Sequence, residues 1–165
     1  WNDKVDVQYY YAEKQTELLE DMWRHYEDEG EEDLAPHAAN YGTVLQAWSS
    51  TRRDDAGKRA EEILRDMWTK HAVHPDLHVK PNIQCYNSVM NAWAKSGNDE
   101  APKKVKRLLE EMRNRSKESH SNGDLVPDKI SYNCLIDAWG KNSDPSAGKK
   151  AEEVLGDMWK MHEEH

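Results

Sequence analysis

A repeated string dominates this sequence and limits the folds that the chain can adopt. Residues 127–141 read PDKISYNCLIDAWGK, and residues 81–95 read PNIQCYNSVMNAWAK. A third copy, with fewer identities, runs from Pro36 through Tyr41 to Trp48. In every copy the proline lies five residues before the tyrosine, and the tyrosine lies seven residues before the tryptophan. Because this spacing recurs, the chain is predicted to be a tandem array of one structural unit.

The methionines give the period of the array. Each tyrosine of the repeated string is followed 26 residues later by a methionine, and one further methionine of the same type stands upstream. The four are separated by 45, 45 and 46 residues, and they are Met22, Met67, Met112 and Met158. Units of this kind bury their apolar residues by stacking on neighbouring units.

This period divides the chain into four segments. We predict a partial unit with an acidic loop at 1–35, a degenerate unit at 36–80, a complete unit at 81–126 and a final unit at 127–165. The first segment resembles only the second half of a unit, so the chain is expected to be a piece of a longer protein. All four segments are expected to form one continuous array.

Apolar residues recur within each unit at the spacing of an α-helix. Tyr86, Val89, Met90 and Trp93 fall on one helix face, and a second apolar stripe follows later in the same unit. We therefore predict helix pairs at 37–51 with 55–71, 82–95 with 99–116, and 128–141 with 146–162. One long helix is expected in the first segment. The predicted fold class is all-α, an α-solenoid of stacked antiparallel helix pairs.

A capping residue is expected at the start of the first helix of each unit. A proline ends the preceding loop, and the residue after it can accept the free backbone N–H groups of the first turn. These predicted caps are His37, Asn82 and Asp128.

The negative charge is distributed unevenly along the chain. The net charge is −9, and residues 1–35 contain 12 acids and 3 bases, whereas the remaining residues hold 20 of each. Within the three copies of the repeated string only Asp128 and Asp137 are acidic. An acidic protein is not a typical nucleic-acid partner. Because the repeated string carries little of the acid, however, a nucleic acid is not excluded as a partner there.

Several function classes find no support in the residues. The two cysteines lie 49 positions apart in equivalent strings and suggest neither a disulfide framework nor a zinc site. His71, His74 and His78 fit no zinc-ligand spacing and are predicted to be surface residues. There is no phosphate-binding glycine loop, no nucleophile–base pattern and no apolar run of about 18 residues. We therefore predict no enzyme activity, no cofactor, no metal, no small-molecule substrate and no membrane partner.

The repeated string, followed by a helix such as AEEVLGDM at 151–158, resembles the pentatricopeptide repeat family. The resemblance covers residues 36–165, with units lengthened to 45–46 residues. It implies a superhelix of helix pairs that binds single-stranded RNA at about one base per repeat. It also implies a role in the processing, stability or translation of transcripts in a mitochondrion or a chloroplast.

The resemblance assigns roles to individual residues. A base is read in the family by the residue after the tyrosine together with the residue after the next proline, which here gives Gly42, Asn82, Asn87, Asp128 and Asn133. The base is held between the residues that stand two positions before each tyrosine, here Ala39, Gln84 and Ile130. The phosphate-contacting lysines at the ends of the first helices are Lys95 and Lys141.

One pair among these residues gives the sharpest expectation. Asn87 and Asp128 form the pair that prefers uracil in the family, and they are predicted to lie side by side and partly exposed. Gln84 and Ile130 are predicted to flank the gap between them. Gly42 offers no side chain to read a base, so the degenerate unit is expected to be silent.

The residues leave a second function class open. A protein-interaction scaffold, or a structural subunit of a large organellar assembly, could use the same groove or the acidic segment. The overall acidity and Gly42 favour the scaffold. The low acid content of the repeated string and the pair of Asn87 with Asp128 favour RNA. Without the resemblance, Lys95 and Lys141 are adequately explained as cations at helix C-termini.

Overall fold

The protein is all-α, as predicted. The computed structural model describes the backbone of residues 3–118 and 125–163, and these ranges contain no strand. They form seven α-helices, which are α1 Asp3–Asp28, α2 Ala38–Thr51, α3 Ala56–Val73, α4 Ile83–Ser96, α5 Ala101–Glu118, α6 Lys129–Gly140 and α7 Ala147–Glu163. A short 3-10 helix at Glu32–Leu34 follows α1. The predicted helix pairs are confirmed, with ends that agree to within two residues.

Capping interactions set the starts of the first helices. The Asn82 side chain accepts the backbone N–H of Cys85 at 3.0 Å. The Asp128 carboxylate accepts the backbone N–H groups of Ile130 and Ser131, each at 2.9 Å. These contacts satisfy donors that have no partner inside the helix, so the caps predicted at these two residues are confirmed. At α2 the side chain of Asn40 accepts the N–H of the preceding His37 instead.

The first helix of each unit, which is α2, α4 or α6, lies at the centre of the packing. Helix α4 contacts α2 and α6, and it also contacts the second helices α3 and α5. Helix α2 likewise packs on α1 and α3, and α6 packs on α5 and α7. Among the described residues the second helices do not pack extensively against one another. This order of contacts is consistent with a helical repeat.

A buried tyrosine hydroxyl joins consecutive units. The Tyr41 hydroxyl accepts a hydrogen bond from the Trp23 indole at 2.8 Å and donates one to Asp66 at 2.7 Å. The same arrangement recurs one unit later around Tyr86, with Trp68 at 3.0 Å and Glu111 at 2.8 Å. Both tyrosines are fully buried. Each hydroxyl therefore links the second helix of one unit to the second helix of the next.

The tryptophan of the repeated string fixes how closely α3 and α4 approach. Trp93 is 5% exposed, and its indole donates to Glu61 of α3 at 3.2 Å. Its ring lies directly over Gly57, where an added Cβ would come within 2.3 Å of a ring carbon. The glycine is required here because no other residue leaves space for the ring.

The two cysteines are buried free thiols. Burial raises the pKa of both thiols, that of Cys134 to about 11, so both remain protonated near neutral pH.

In residues 3–118 and 125–163, no helix combines the length and the apolar character that crossing a membrane requires.

We expect Gly57→Ala to lower the free energy of unfolding by about 1–3 kcal/mol, because the new methyl group collides with Trp93 and displaces it. Gly148 is the equivalent residue of the last unit, and a Cβ there meets nothing within 4 Å. Gly148→Ala is therefore expected to be neutral or to stabilise by up to about 1 kcal/mol through helix propensity. Urea denaturation followed by circular dichroism measures both changes. Equal stability of the two variants would contradict the close approach at Gly57.

Candidate functional site

The first helices present a continuous polar groove, formed by two adjoining depressions. One depression of about 560 Å³ lies between α2 and α4, and one of about 410 Å³ lies mainly between α4 and α6. Gln46 and Ser88 line both, so the two depressions are continuous. The first contains the predicted residues Ala39, Gly42, Asn82 and Gln84. The second contains the predicted residues Asn87, Ile130 and Asn133.

The lining of this polar groove is composed largely of amides and hydroxyls. Gln46, Ser88 and Asn91 contribute such groups in addition to the predicted residues. Asp137 is the one acid among the residues that line the two depressions. Amides and hydroxyls both donate and accept hydrogen bonds, so the polar groove offers neutral polar partners at intervals of one unit.

Asn87 and Asp128 are in contact, as predicted. The Asn87 Nδ2 atom donates to Asp128 Oδ1 at 3.2 Å, and the Asn87 carbonyl oxygen accepts the Ser131 hydroxyl at 2.7 Å. Asn87 is 9% exposed, so the predicted partial exposure is wrong for this residue, whereas Asp128 is half-buried. The reason is the stacking of α6 on α4, which places Ser131 against the amide.

This network holds the Asn87 amide in one orientation. The Asp128 contact uses one of the two amide hydrogens, and the second hydrogen is the group that can still donate. The Asn87 backbone carbonyl also meets the Cys134 thiol, with a sulfur-to-oxygen distance of 4.0 Å. The Asn87 amide is therefore oriented by contacts from α6 and from its cap.

The carboxylate of Asp128 is stabilised in its charged form. Burial acts to raise its pKa, but the hydrogen bonds from Ser131 and Asn87 outweigh the burial, and the pKa is held below its usual range. Asp128 therefore caps the N-terminus of α6 and also accepts a hydrogen bond from the Asn87 amide. Asn82, which is exposed, also combines a cap with its place in the polar groove.

The residues predicted to hold a base are exposed in the polar groove. Ile130 is 50% exposed at the first turn of α6, and Gln84 is exposed at the first turn of α4. They line adjoining depressions rather than a single gap. Ala39 is the exposed equivalent on α2. An exposed isoleucine beside amides supplies an apolar surface on which a base can pack.

The two predicted phosphate-contacting lysines differ in their surroundings. The Lys141 ammonium lies 2.6 Å from the Asp137 carboxylate and donates to the Ala94 carbonyl at 3.3 Å. For Lys95, at the end of α4, no hydrogen bond or ion pair is found within the described ranges. Asp137 thus offsets the charge of Lys141, while the charge of Lys95 is left uncompensated.

Two features were missed by the sequence reasoning. His74 was predicted to be a surface residue, but it is half-buried, stacks on Trp23 with ring centroids 5.3 Å apart and contacts Glu27 at 2.9 Å. The tandem pattern contains no signal for this contact, because Glu27 lies in the acidic segment outside the repeated string. His25, Glu29 and Glu31 also bring potential metal-ligand atoms within 4.8 Å of one another, but such exposed groups are common without an ion.

We expect the stabilising effect of Asp128 to depend on pH. Its folded-state pKa is depressed, so the stability that it contributes is present above the unfolded pKa of about 3.9 and is lost as the pH falls through the folded value. Asp128→Asn keeps a capping oxygen but removes the charge. The difference in unfolding free energy between the two proteins should be largest near pH 7 and shrink below about pH 4. A difference that does not change between pH 7 and pH 3 would contradict this interpretation.

Comparison with protein-family models, with curated proteins and with solved structures gives no significant match. The pentatricopeptide resemblance therefore remains a resemblance of the repeated strings.

Proposed function

We propose that this chain is a single-stranded RNA-binding module built as an α-solenoid of pentatricopeptide type. The observation that carries the proposal is the polar groove, in which successive first helices present amides and hydroxyls at intervals of one unit. Single-stranded RNA is recognised through base edges and stacking, which such side chains complement. A role in the processing, stability or translation of organellar transcripts rests on the resemblance and forms part of the proposal.

The order of helix contacts supports the solenoid. The first helices α2, α4 and α6 pack in series, while the second helices are joined through them. An array whose first helices pack more closely than its second helices curves toward the side of the first helices. The polar groove then lies on the inner side of the curve, where one strand of RNA can contact successive units.

Base recognition is assigned to the contact between Asn87 and Asp128. The charged carboxylate accepts one hydrogen of the Asn87 amide, and the remaining hydrogen is directed by the same contact. Ile130 supplies an apolar surface for this base, and Gln84 lines the adjoining depression. Asn133 is exposed and offers a second amide on α6. Gly42 presents no reading group, so the degenerate unit adds contact without selectivity.

Phosphate contacts are assigned to Lys95 and Lys141. Each phosphate that a lysine neutralises contributes a slope of about −0.7 to the dependence of log affinity on log salt for a single strand. Two lysines therefore predict a shallow slope of about −1.4, and the affinity of this chain for a short RNA is expected to be modest.

The lysine contribution is tested with Lys95→Glu/Lys141→Glu. We expect this double variant to bind every RNA sequence more weakly and to lose most of the salt dependence, because phosphate contacts carry no sequence information. Fluorescence anisotropy with labelled oligo-U at several salt concentrations measures both quantities. The matched control is Lys103→Glu/Lys149→Glu, which makes the same charge change at exposed positions of α5 and α7. If both double variants weaken binding equally, general electrostatic attraction accounts for the effect.

The base contact is tested with Asn87→Ala. We expect unmutated protein to prefer oligo-U over oligo-A, and the variant to lose about 1–3 kcal/mol of that preference while retaining most of its overall affinity. Asn91→Ala is the matched control, because Asn91 lies one turn further along α4 and lines the same depression. It should leave the preference unchanged. Equal binding of oligo-U and oligo-A by unmutated protein would reject base reading by this groove.

A further inference from the structure

A second groove lies between the second helices α1 and α3 and is separate from the polar groove. It encloses about 640 Å³, and its lining includes seven acids and three bases. Its apolar residues are Leu19 and Trp23 of α1, Trp48 of α2 and Ile63 of α3. We call it the acidic groove. Most of the residues that line it belong to 1–35, the segment in which the negative charge of the chain is concentrated.

The acidic groove exists because α1 and α3 are held by α2 rather than by each other. Trp48 of α2 is 3% exposed, and its indole donates to Thr16 of α1 at 2.9 Å, which holds α2 against the α1 wall at the base of the groove. Glu27 of α1 contacts Lys70 of α3 at 2.8 Å and joins the two walls near their C-terminal ends. The acidic groove therefore has an apolar floor, the helices α1 and α3 as its two walls, and acidic side chains around its opening.

The acidic character of this groove is not a general property of the repeat. One unit later, Lys58, Arg65 and Arg107 occupy the positions that correspond to Glu13, Glu20 and Glu62. Arg107 there forms an ion pair with Glu61 of α3 and bridges the gap between α3 and α5. The equivalent gap is therefore bridged at the Arg107 position, where the acidic groove has Glu62. The acidic groove carries an excess of acids on its rim.

Part of this negative charge is uncompensated within the protein. No basic partner of Glu20 or Asp28 is found in residues 7–117 and 125–159, and Arg24 between them pairs with Asp21 at 2.7 Å. A cleft lined by one sign of charge concentrates its field and attracts a ligand of the opposite sign. The acids also exclude RNA from this surface, because phosphates carry the same charge.

We propose that the acidic groove docks a basic amphipathic helix of a partner protein. The apolar face of such a helix would contact Ile63, which is partly exposed, and its lysines or arginines would pair with Glu20, Asp28 and Glu62 on the rim. This is the helix-in-groove mode of recognition. The α1 wall from Glu13 to Asp28 is about 22 Å long at 1.5 Å per residue, which matches about four turns of a bound helix. The site is independent of the RNA proposal, because its lining includes none of the predicted RNA-contacting residues.

The experiment uses a fluorescein-labelled 18-residue helical peptide with leucines on one face and lysines on the other. We expect saturable binding in anisotropy, weakened about tenfold or more by Glu20→Lys/Glu62→Lys. The matched control is Glu110→Lys/Glu153→Lys, which changes the equivalent positions of α5 and α7 by the same charge. The control is expected to bind within about twofold of unmutated protein. Circular dichroism checks that all variants fold. If the double variant is unfolded, single Glu20→Lys is compared with single Glu110→Lys.

Two further peptides complete the test. A peptide in which serine replaces every leucine should bind at least about tenfold more weakly, because it cannot use the apolar floor. A leucine–glutamate peptide should not bind. Equal binding of the serine and leucine peptides, or equal loss in both double variants, would overturn the proposal. Neither result depends on whether the polar groove binds RNA.

Discussion

The hydrogen bonds of a buried tyrosine hydroxyl hold consecutive units in register. Tyr41 and Tyr86 each receive a hydrogen bond from a tryptophan of the preceding second helix and give one to a carboxylate of the following second helix. Burial and the adjacent carboxylate raise the pKa of both tyrosines well above the usual range, so both hydroxyls remain donors. A hydrogen bond to a charged group contributes about 1.5–3 kcal/mol. The second helices, which pack little on each other, are coupled in this way through the first helices.

The residue that follows the methionine of each second helix differs in exposure and in type from unit to unit. Trp23 precedes α2 and is 5% exposed beneath it, whereas Trp159 occupies the equivalent position of α7 and is 65% exposed. In the third unit Arg113 replaces the tryptophan and donates to the Tyr132 hydroxyl, so the position keeps a donor while the residue type changes. The requirement at this position is a hydrogen-bond donor that reaches the tyrosine of the next unit.

Much of the fold and part of the candidate site could be predicted because the repeat imposes geometry. The spacing of tyrosine, tryptophan and methionine predicts the helix pairs, and stacking of equal units brings Asn87 beside Asp128 although they lie 41 residues apart. The burial of Asn87 could not be predicted, since it depends on a hydrogen bond from Ser131, a residue specific to one unit. The ion pair of Glu27 with Lys70 could not be predicted either, because the repeat spacing shows no partner for Glu27 and Lys70 lies 43 residues away.

The two proposed sites share α2 but use opposite sides of it. Gln46 lines the polar groove, and Trp48, two residues later, lines the acidic groove. Any effect of one ligand on the other would therefore have to pass through α2, and such an effect would be reciprocal. Helix α2 is held on the side of the acidic groove by the bond of Trp48 to Thr16, and by the bonds of Tyr41 to Trp23 and Asp66. A helix fixed by three hydrogen bonds, one of them buried, transmits little displacement, because moving it would break bonds that only the present position satisfies. The arrangement thus favours independent binding at the polar groove and at the acidic groove on the opposite side of α2.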